Sequence, residues 1–304
     1  MIKRKNFKPS EISRRMDAFQ IVLFVIVTMY VVSMIFVMAF GLLNSVKSWV
    51  DFQRGNIFGL PRKEYGWHFD NYKTTFEMFY VTVKELGEAP REVYLMEMFL
   101  NSFAYSIAMT LFCMATEIVM AYAVSKYEFR FRKFIYGVAV VVMLIPIIGS
   151  LASEVQFADF FGLKDSLIGV CIMKCKFPGL YFLVFYATFR SISWTYAEAA
   201  QIDGASHLRI FVSVMLPLIK STMFAVFILL FIENWNDYYT PMIFLPNKPT
   251  IAYGLFEYQN NVETNMSTPI KLSACFLACL PILVVFVVFK NKIMGNVTMG
   301  GIKG

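Results

Sequence analysis

The chain has 304 residues, of which 58% are hydrophobic and only 16% charged, and it includes 32 Phe and 19 Met. A soluble globule of that length could not enclose so much apolar surface, and a disordered chain would not carry it, so composition leaves a polytopic membrane protein. The net charge of +7 comes from 28 Lys and Arg against 21 Asp and Glu, placed in short clusters between apolar runs; that pattern reports the side of the membrane rather than a nucleic-acid partner.

A helix needs ~20 mostly apolar residues to cross the hydrocarbon core. No charge occurs from Ala18 to Val46, which predicts a first span over 18–46. That run is too long for a signal-peptide core and no small-residue cleavage site follows, so it reads as a retained span. The second lies between Glu97 and Tyr127, the third runs from Phe134 to Ser153, and the fourth from Leu167 to Arg190 with Lys174, Lys176 and the breaker pair Pro178-Gly179 inside it. The fifth covers Ile210 to Ile232 and the sixth Leu272 to Phe289. Continuous apolar runs exclude barrel strands, which would alternate. The expected fold class is therefore all-α, with six transmembrane helices.

Of the 28 Lys and Arg, 15 fall in segments that lie on one side if the N-terminus is inside: 1–17, 125–133, 190–209 and 290–304. The positive-inside rule then puts both termini in the cytoplasm. The expected organisation is a cytoplasmic N-terminus (1–17), a first helix (18–46), an extracellular loop (47–97), a five-helix core (98–290) and a cytoplasmic tail (291–304). The core contains an inner loop at 191–209 and an outer loop at 238–268.

The inner loop carries the strongest local signal, Glu198-Ala199-Ala200-Gln201-Ile202-Asp203-Gly204-Ala205-Ser206, followed by Val214-Met215-Leu216-Pro217. Tyr196 to Ile202 suits a short Ala-rich helix with Glu198 near its positive end. Gly204 permits a turn with positive φ, and Ser206 can cap a second helix leading into the fifth span. Such an elbow is compact, and anything docked on it would move two spans together.

These strings resemble the cytoplasmic loop signature of permease subunits of bacterial ATP-binding-cassette importers, in particular the carbohydrate branch. Asn101-Ser102, Ala121 to Tyr127 with Phe131-Arg132, Trp235-Asn236-Asp237-Tyr238 and the tail Gly300-Gly301-Ile302-Lys303-Gly304 are similar to that family in the same order. The tail resembles that of the second permease of a maltose-type heterodimer. The resemblance implies the type I permease fold in a bacterial plasma membrane, and a second homologous permease as partner. It also implies two ATPase subunits and an extracellular or periplasmic solute-binding protein. It implies no cofactor on this chain, ATP-Mg being held by the ATPase. Glu198, Ala199, Ala200, Asp203, Gly204, Ala205, Ser206 and His207 would couple to the ATPase, and Gly301, Lys303 and Gly304 would lie near it. The outer loop, about 241–268, would meet the binding protein.

Other residues carry weaker signals. Glu117 either faces the path or pairs, for example with Lys220, as structural glue. Lys174 and Lys176 either line a broken-helix cavity suited to an acidic sugar or sit at the interface. Asn236 and Tyr238 complete the candidate path. Cys171/Cys175 and Cys275/Cys279 are each four apart and read as apolar packers rather than metal ligands. No phosphate-cradling loop, His-Glu-x-x-His or Gly-x-Ser-x-Gly occurs, so no catalytic residue is assigned. The competing reading is a stand-alone ion-coupled transporter or channel.

Overall fold

The structure is a computed structural model that describes residues 17–84, 89–145, 149–175, 179–260 and 267–297. They fall into two compact units, one formed by residues up to 71 with 267–273, the other by 72–266 with 274 onward.

The first unit begins with α1 (Ala18–Ser45). Its side chains are exposed along nearly the whole length, including Phe19, Leu23, Phe24, Ile26, Tyr30, Ile35 and Phe36. At 28 residues it is long enough to span a membrane, and only lipid or protein can cover such a surface. A short helix, α2 (Trp49–Gln53), follows. Two buried charges organise the segment around it. Lys47 is fully enclosed, and its Nζ donates to the carbonyls of Asn56 at 2.7 Å and Ile57 at 3.1 Å. Asp51, also enclosed, accepts from Asn56 Nδ2 at 2.9 Å and Arg62 N at 3.0 Å. Asn71 closes the unit, donating to the carbonyls of Ser45 at 2.8 Å and Lys47 at 2.9 Å. His68 donates to Tyr65 O at 2.8 Å and faces Asp70 at 3.3 Å, which gives it partners that sequence did not suggest.

Burial pushes the Asp51 carboxyl up, but the Arg62 amide, the Asn56 side chain and the charges of Arg62 and Lys47 outweigh it and hold it below its ordinary value of 3.8. The native state thus binds that proton more weakly than the unfolded chain does. The stabilisation is complete above the ordinary value and is lost as pH falls from 3.8 through the depressed folded value. Asp51→Ala is expected to lower the stability of this segment by about 2 kcal/mol and to remove its acid transition. Limited proteolysis against pH checks both; an unchanged acid transition in the variant would contradict the assignment.

The second unit contains α3 (Asp70–Met78) from Tyr72 onward and a hairpin of β1 (Tyr80–Val83) and β2 (Arg91–Tyr94). The strands are antiparallel, with Val81 opposite Val93. The predicted 47–97 loop therefore has structure of its own, and this hairpin departs from a purely helical reading. Its buried residues Val81, Val83 and Val93, with Phe79, pack in one cluster with Met98, Trp235, Ile251 and Leu277. Four-residue strands leave a periodicity too short to recognise among longer apolar runs.

The axis of this unit is α4 (Leu95–Lys126), 32 residues long. Its buried positions Met98, Ser102, Tyr105, Met109, Cys113, Glu117, Ala121 and Val124 recur every three or four residues, so one face is enclosed. That face meets two later helices, Leu180–Ser191 and Lys220–Trp235. Small polar Ser102, Ser106 and Thr110 let helix backbones approach closely.

Three predicted spans are broken. The third divides into α5 (Arg132–Leu144) and α6 (Leu151–Phe160). Ile145 precedes a proline and adopts φ −92°, ψ 111°, as its steric conflict with the following ring demands; Gly149 takes φ +86° before the helix resumes. The fourth divides into α7 (Leu167–Lys174) and α8 (Leu180–Ser191), with Gly179 extended at the start of α8. After α9 (Thr195–Ile202) and α10 (His207–Ile210), a wide π-helical turn over Phe211–Met215 leads to α11 (Leu216–Leu218) and α12 (Lys220–Trp235). The fifth span is bent by 76° between Leu218 and Lys220. Pro217 has no amide hydrogen and its ring crowds the preceding turn, which accounts for the wide turn before it. Two helices, α13 (Tyr239–Phe244) and α14 (Ile251–Asn260), follow, then α15 (Thr268–Val297), longer than the predicted sixth span. By length and apolarity α1, α4 and α15 are each able to cross a membrane, and the bent pair forms a fourth candidate.

Candidate functional site

The elbow forms as its residues dictate. Ala205 N donates to Ala200 O and Gly204 N to Gln201 O, both at 2.9 Å, closing a Schellman motif at the end of α9. Gly204 occupies the left-handed position, φ +78°. Ser206 Oγ accepts from Arg209 N at 3.4 Å and caps α10. The elbow buries Ala197 but leaves Ile202 88% and Leu208 72% exposed, with Glu198, Asp203 and His207 also on its surface. A Cβ at Gly204 would meet nothing within 4 Å.

The end of α4 grips this elbow. Lys126 Nζ donates to Ile192 O. The Tyr127 ring lies 6.1 Å from Trp194 and 5.7 Å from His207, and its hydroxyl is 3.3 Å from His207 Nδ1. Tyr122 extends the stack to Phe211 at 4.7 Å and Phe189 at 5.3 Å.

Higher along α4 lies a cavity of about 610 Å³, with Met109, Cys113 and Glu117 on one wall, Lys174 and Tyr181 on a second, and Glu233, Asn234, Asn236, Asp237 and Thr240 on a third. Glu117, 3% exposed, contributes to this lining rather than facing lipid. Of the predicted path residues the cavity therefore gathers Glu117, Lys174 and Asn236. Tyr238 is not among its lining: its ring stacks on Phe256 at 4.5 Å. Lys176, Gly301, Lys303 and Gly304 lie outside the described residues. Lys174 is bound to the Glu154 carboxylate, and its Nζ sits 4.5 Å from the centre of the Phe244 ring. Its charge is thus satisfied inside the protein, which weakens the expectation of a cationic lining. None of the five cysteines forms a disulfide.

Sequence reading missed Tyr105, Thr110, Glu154, Glu233 and Asn234. Tyr105 donates to Asp237 at 2.7 Å, Asn234 to Thr110 at 3.2 Å, and Ser102 accepts from Ile251 N at 2.8 Å. The strings Asn101-Ser102 and Trp235 to Tyr238, read separately, are parts of one polar seam between α4, the end of α12 and the following loop.

Residues 117–294 match the family described as "Binding-protein-dependent transport system inner membrane component". The chain belongs to that family. This permease is 27% identical over 246 residues to the diacetylchitobiose uptake system permease protein NgcG of Streptomyces coelicolor, covering 80% of this chain and 76% of the relative. It is 26% identical over 213 residues to the arabinooligosaccharides transport system permease protein AraQ of Bacillus subtilis, covering 68% and 73%. Its fold is similar to that of a chain in the crystal structure of a bacterial ABC transporter involved in the import of the acidic polysaccharide alginate. The TM-score is 0.68 at 22% identity, covering 90% of this chain and 95% of that one.

Proposed function

We propose that this permease forms half of the path of a carbohydrate importer and takes its driving force from a separate ATP-binding-cassette ATPase docked on the elbow Glu198–His207. The exposed elbow carries this reading: Ile202 and Leu208 present apolar surface beside the left-handed Gly204 and the polar Glu198 and Asp203. Exposed large apolar side chains on a folded, rigid element fit a protein docking site. The carbohydrate assignment rests on the uptake systems of the relatives, named for diacetylchitobiose and arabino-oligosaccharides. Under this reading the elbow and both termini face the cytoplasm, and Gly301, Lys303 and Gly304 approach the ATPase. A second permease completes the path and a solute-binding protein delivers the sugar outside. This chain performs no chemistry; ATP and Mg are held by the ATPase.

The mechanism follows from rigidity. Closure of the ATPase dimer draws the elbow inward, the aromatic brace passes that displacement to α4, and α4 moves one wall of the cavity. Hydrolysis reverses the motion. In membrane vesicles, sugar uptake is expected to vanish without ATP and to survive a proton uncoupler. Uptake that survives ATP depletion but collapses with the uncoupler would establish the ion-coupled carrier instead.

A further inference from the structure

Taking the cavity as part of the sugar path, as above, we propose that it accepts uncharged polyhydroxylated sugars and turns away sugars bearing carboxylates. Its volume of about 610 Å³ lies within the range of ligand pockets. Among the described lining residues, Glu117, Glu233 and Asp237 are acidic and Lys174 is the one cation. Glu154, behind the wall, binds the Lys174 ammonium. The amide of Asn234 spends its donors on Thr110 Oγ1 at 3.2 Å and Leu230 O at 2.9 Å, so it offers the cavity its carbonyl oxygen. Asn236 Nδ2 likewise donates to Ile232 O at 2.8 Å.

The walls therefore carry three carboxyl groups and the Asn234 carbonyl against one cation that Glu154 already holds. A sugar hydroxyl can donate to carboxylate and amide oxygens and still accept elsewhere. A uronate carboxylate cannot donate, and its charge meets the like charge of the wall carboxylates. Acceptor matching and electrostatics thus act in the same direction. This separates the chain from the alginate importer whose fold it shares.

The test is ATP-driven uptake into proteoliposomes holding the whole importer and its binding protein. The neutral probes are diacetylchitobiose, arabinotriose and maltotriose; the acidic probe is an alginate trisaccharide. Wild type is expected to take up the best neutral sugar at least ten-fold faster than the alginate trisaccharide. Glu233→Gln, with the binding protein unchanged, is expected to narrow that ratio at least three-fold. Comparable wild-type rates for the acidic and neutral probes overturn the selectivity. A selective wild type whose ratio Glu233→Gln leaves unchanged removes the cavity as its seat. Glu233→Trp, which fills the cavity, tests the underlying path: neutral uptake at the wild-type rate in that variant overturns the path reading, as uptake of none of the sugars by wild type overturns the carbohydrate reading.

Discussion

Gly204→Asp is expected to cut uptake by more than ten-fold while the permease reaches the membrane at its normal level. Gly204 stands at φ +78°, where most side chains are strained by ~1–2 kcal/mol, and Asp is among the residues that tolerate this region best. Within the chain the new Cβ has open space around it. The Schellman bonds from Ala205 to Ala200 and from Gly204 to Gln201 use only backbone atoms and survive the change. Intramolecular physics therefore predicts a folded elbow. What changes is the outer surface between Ile202 and Leu208, where a carboxylate would be pressed into a docked partner. Loss of uptake at normal abundance thus reports the partner, not the fold. Vesicle uptake beside an immunoblot of the membrane fraction decides it; normal uptake would remove the assignment of the elbow as handle.

The second large effect concerns transmission. Tyr127→Ala is expected to lower uptake about ten-fold while ATP hydrolysis by the assembled importer falls less than two-fold. Its ring contacts Trp194 and His207, and through Tyr122 it joins the stack to Phe189 and Phe211. Each such aromatic pair is worth about 0.5–1.5 kcal/mol beyond simple burial, so truncation loosens the elbow from α4 without unfolding a 32-residue helix. Tyr127→Phe keeps the ring and its aromatic contacts while losing the hydroxyl's 3.3 Å contact to His207, so it should retain most uptake. Equal losses of hydrolysis and uptake in Tyr127→Ala would mean general damage rather than uncoupling.

The parts legible in the sequence are those written in local stereochemistry. Gly204 declared its left-handed turn and Ser206 its cap because each acts within a few residues of itself. Long apolar runs declared α1, α4 and α15 because hydrocarbon thickness sets a length that sequence can count. The broken spans were harder. Composition continues across Ile145 and across Pro217, while the helix stops at the first and the span bends after the second for steric reasons that a hydropathy count does not register. The cavity was least legible. Lys174 read as either a cavity-lining or an interfacial cation because its partner Glu154, 20 positions away, belongs to another helix. Tyr105 and Asp237, 132 positions apart, meet only after α4 and α12 have packed. Such residues have no sequence signal of their own beyond being polar in an apolar stretch, which is the clue Glu233, Asn234 and Asp237 did offer.

The central claim is that an ATPase grips Ile202 and its neighbours from the cytoplasm. A photoreactive amino acid placed at position 202, whose side chain is 88% exposed, tests it most directly. Irradiation of membranes holding the full importer should join this permease to the ATPase subunit, and the adduct should change in yield when ATP is bound. An adduct with the solute-binding protein, or none with the ATPase in an importer that is actively transporting, would contradict the account.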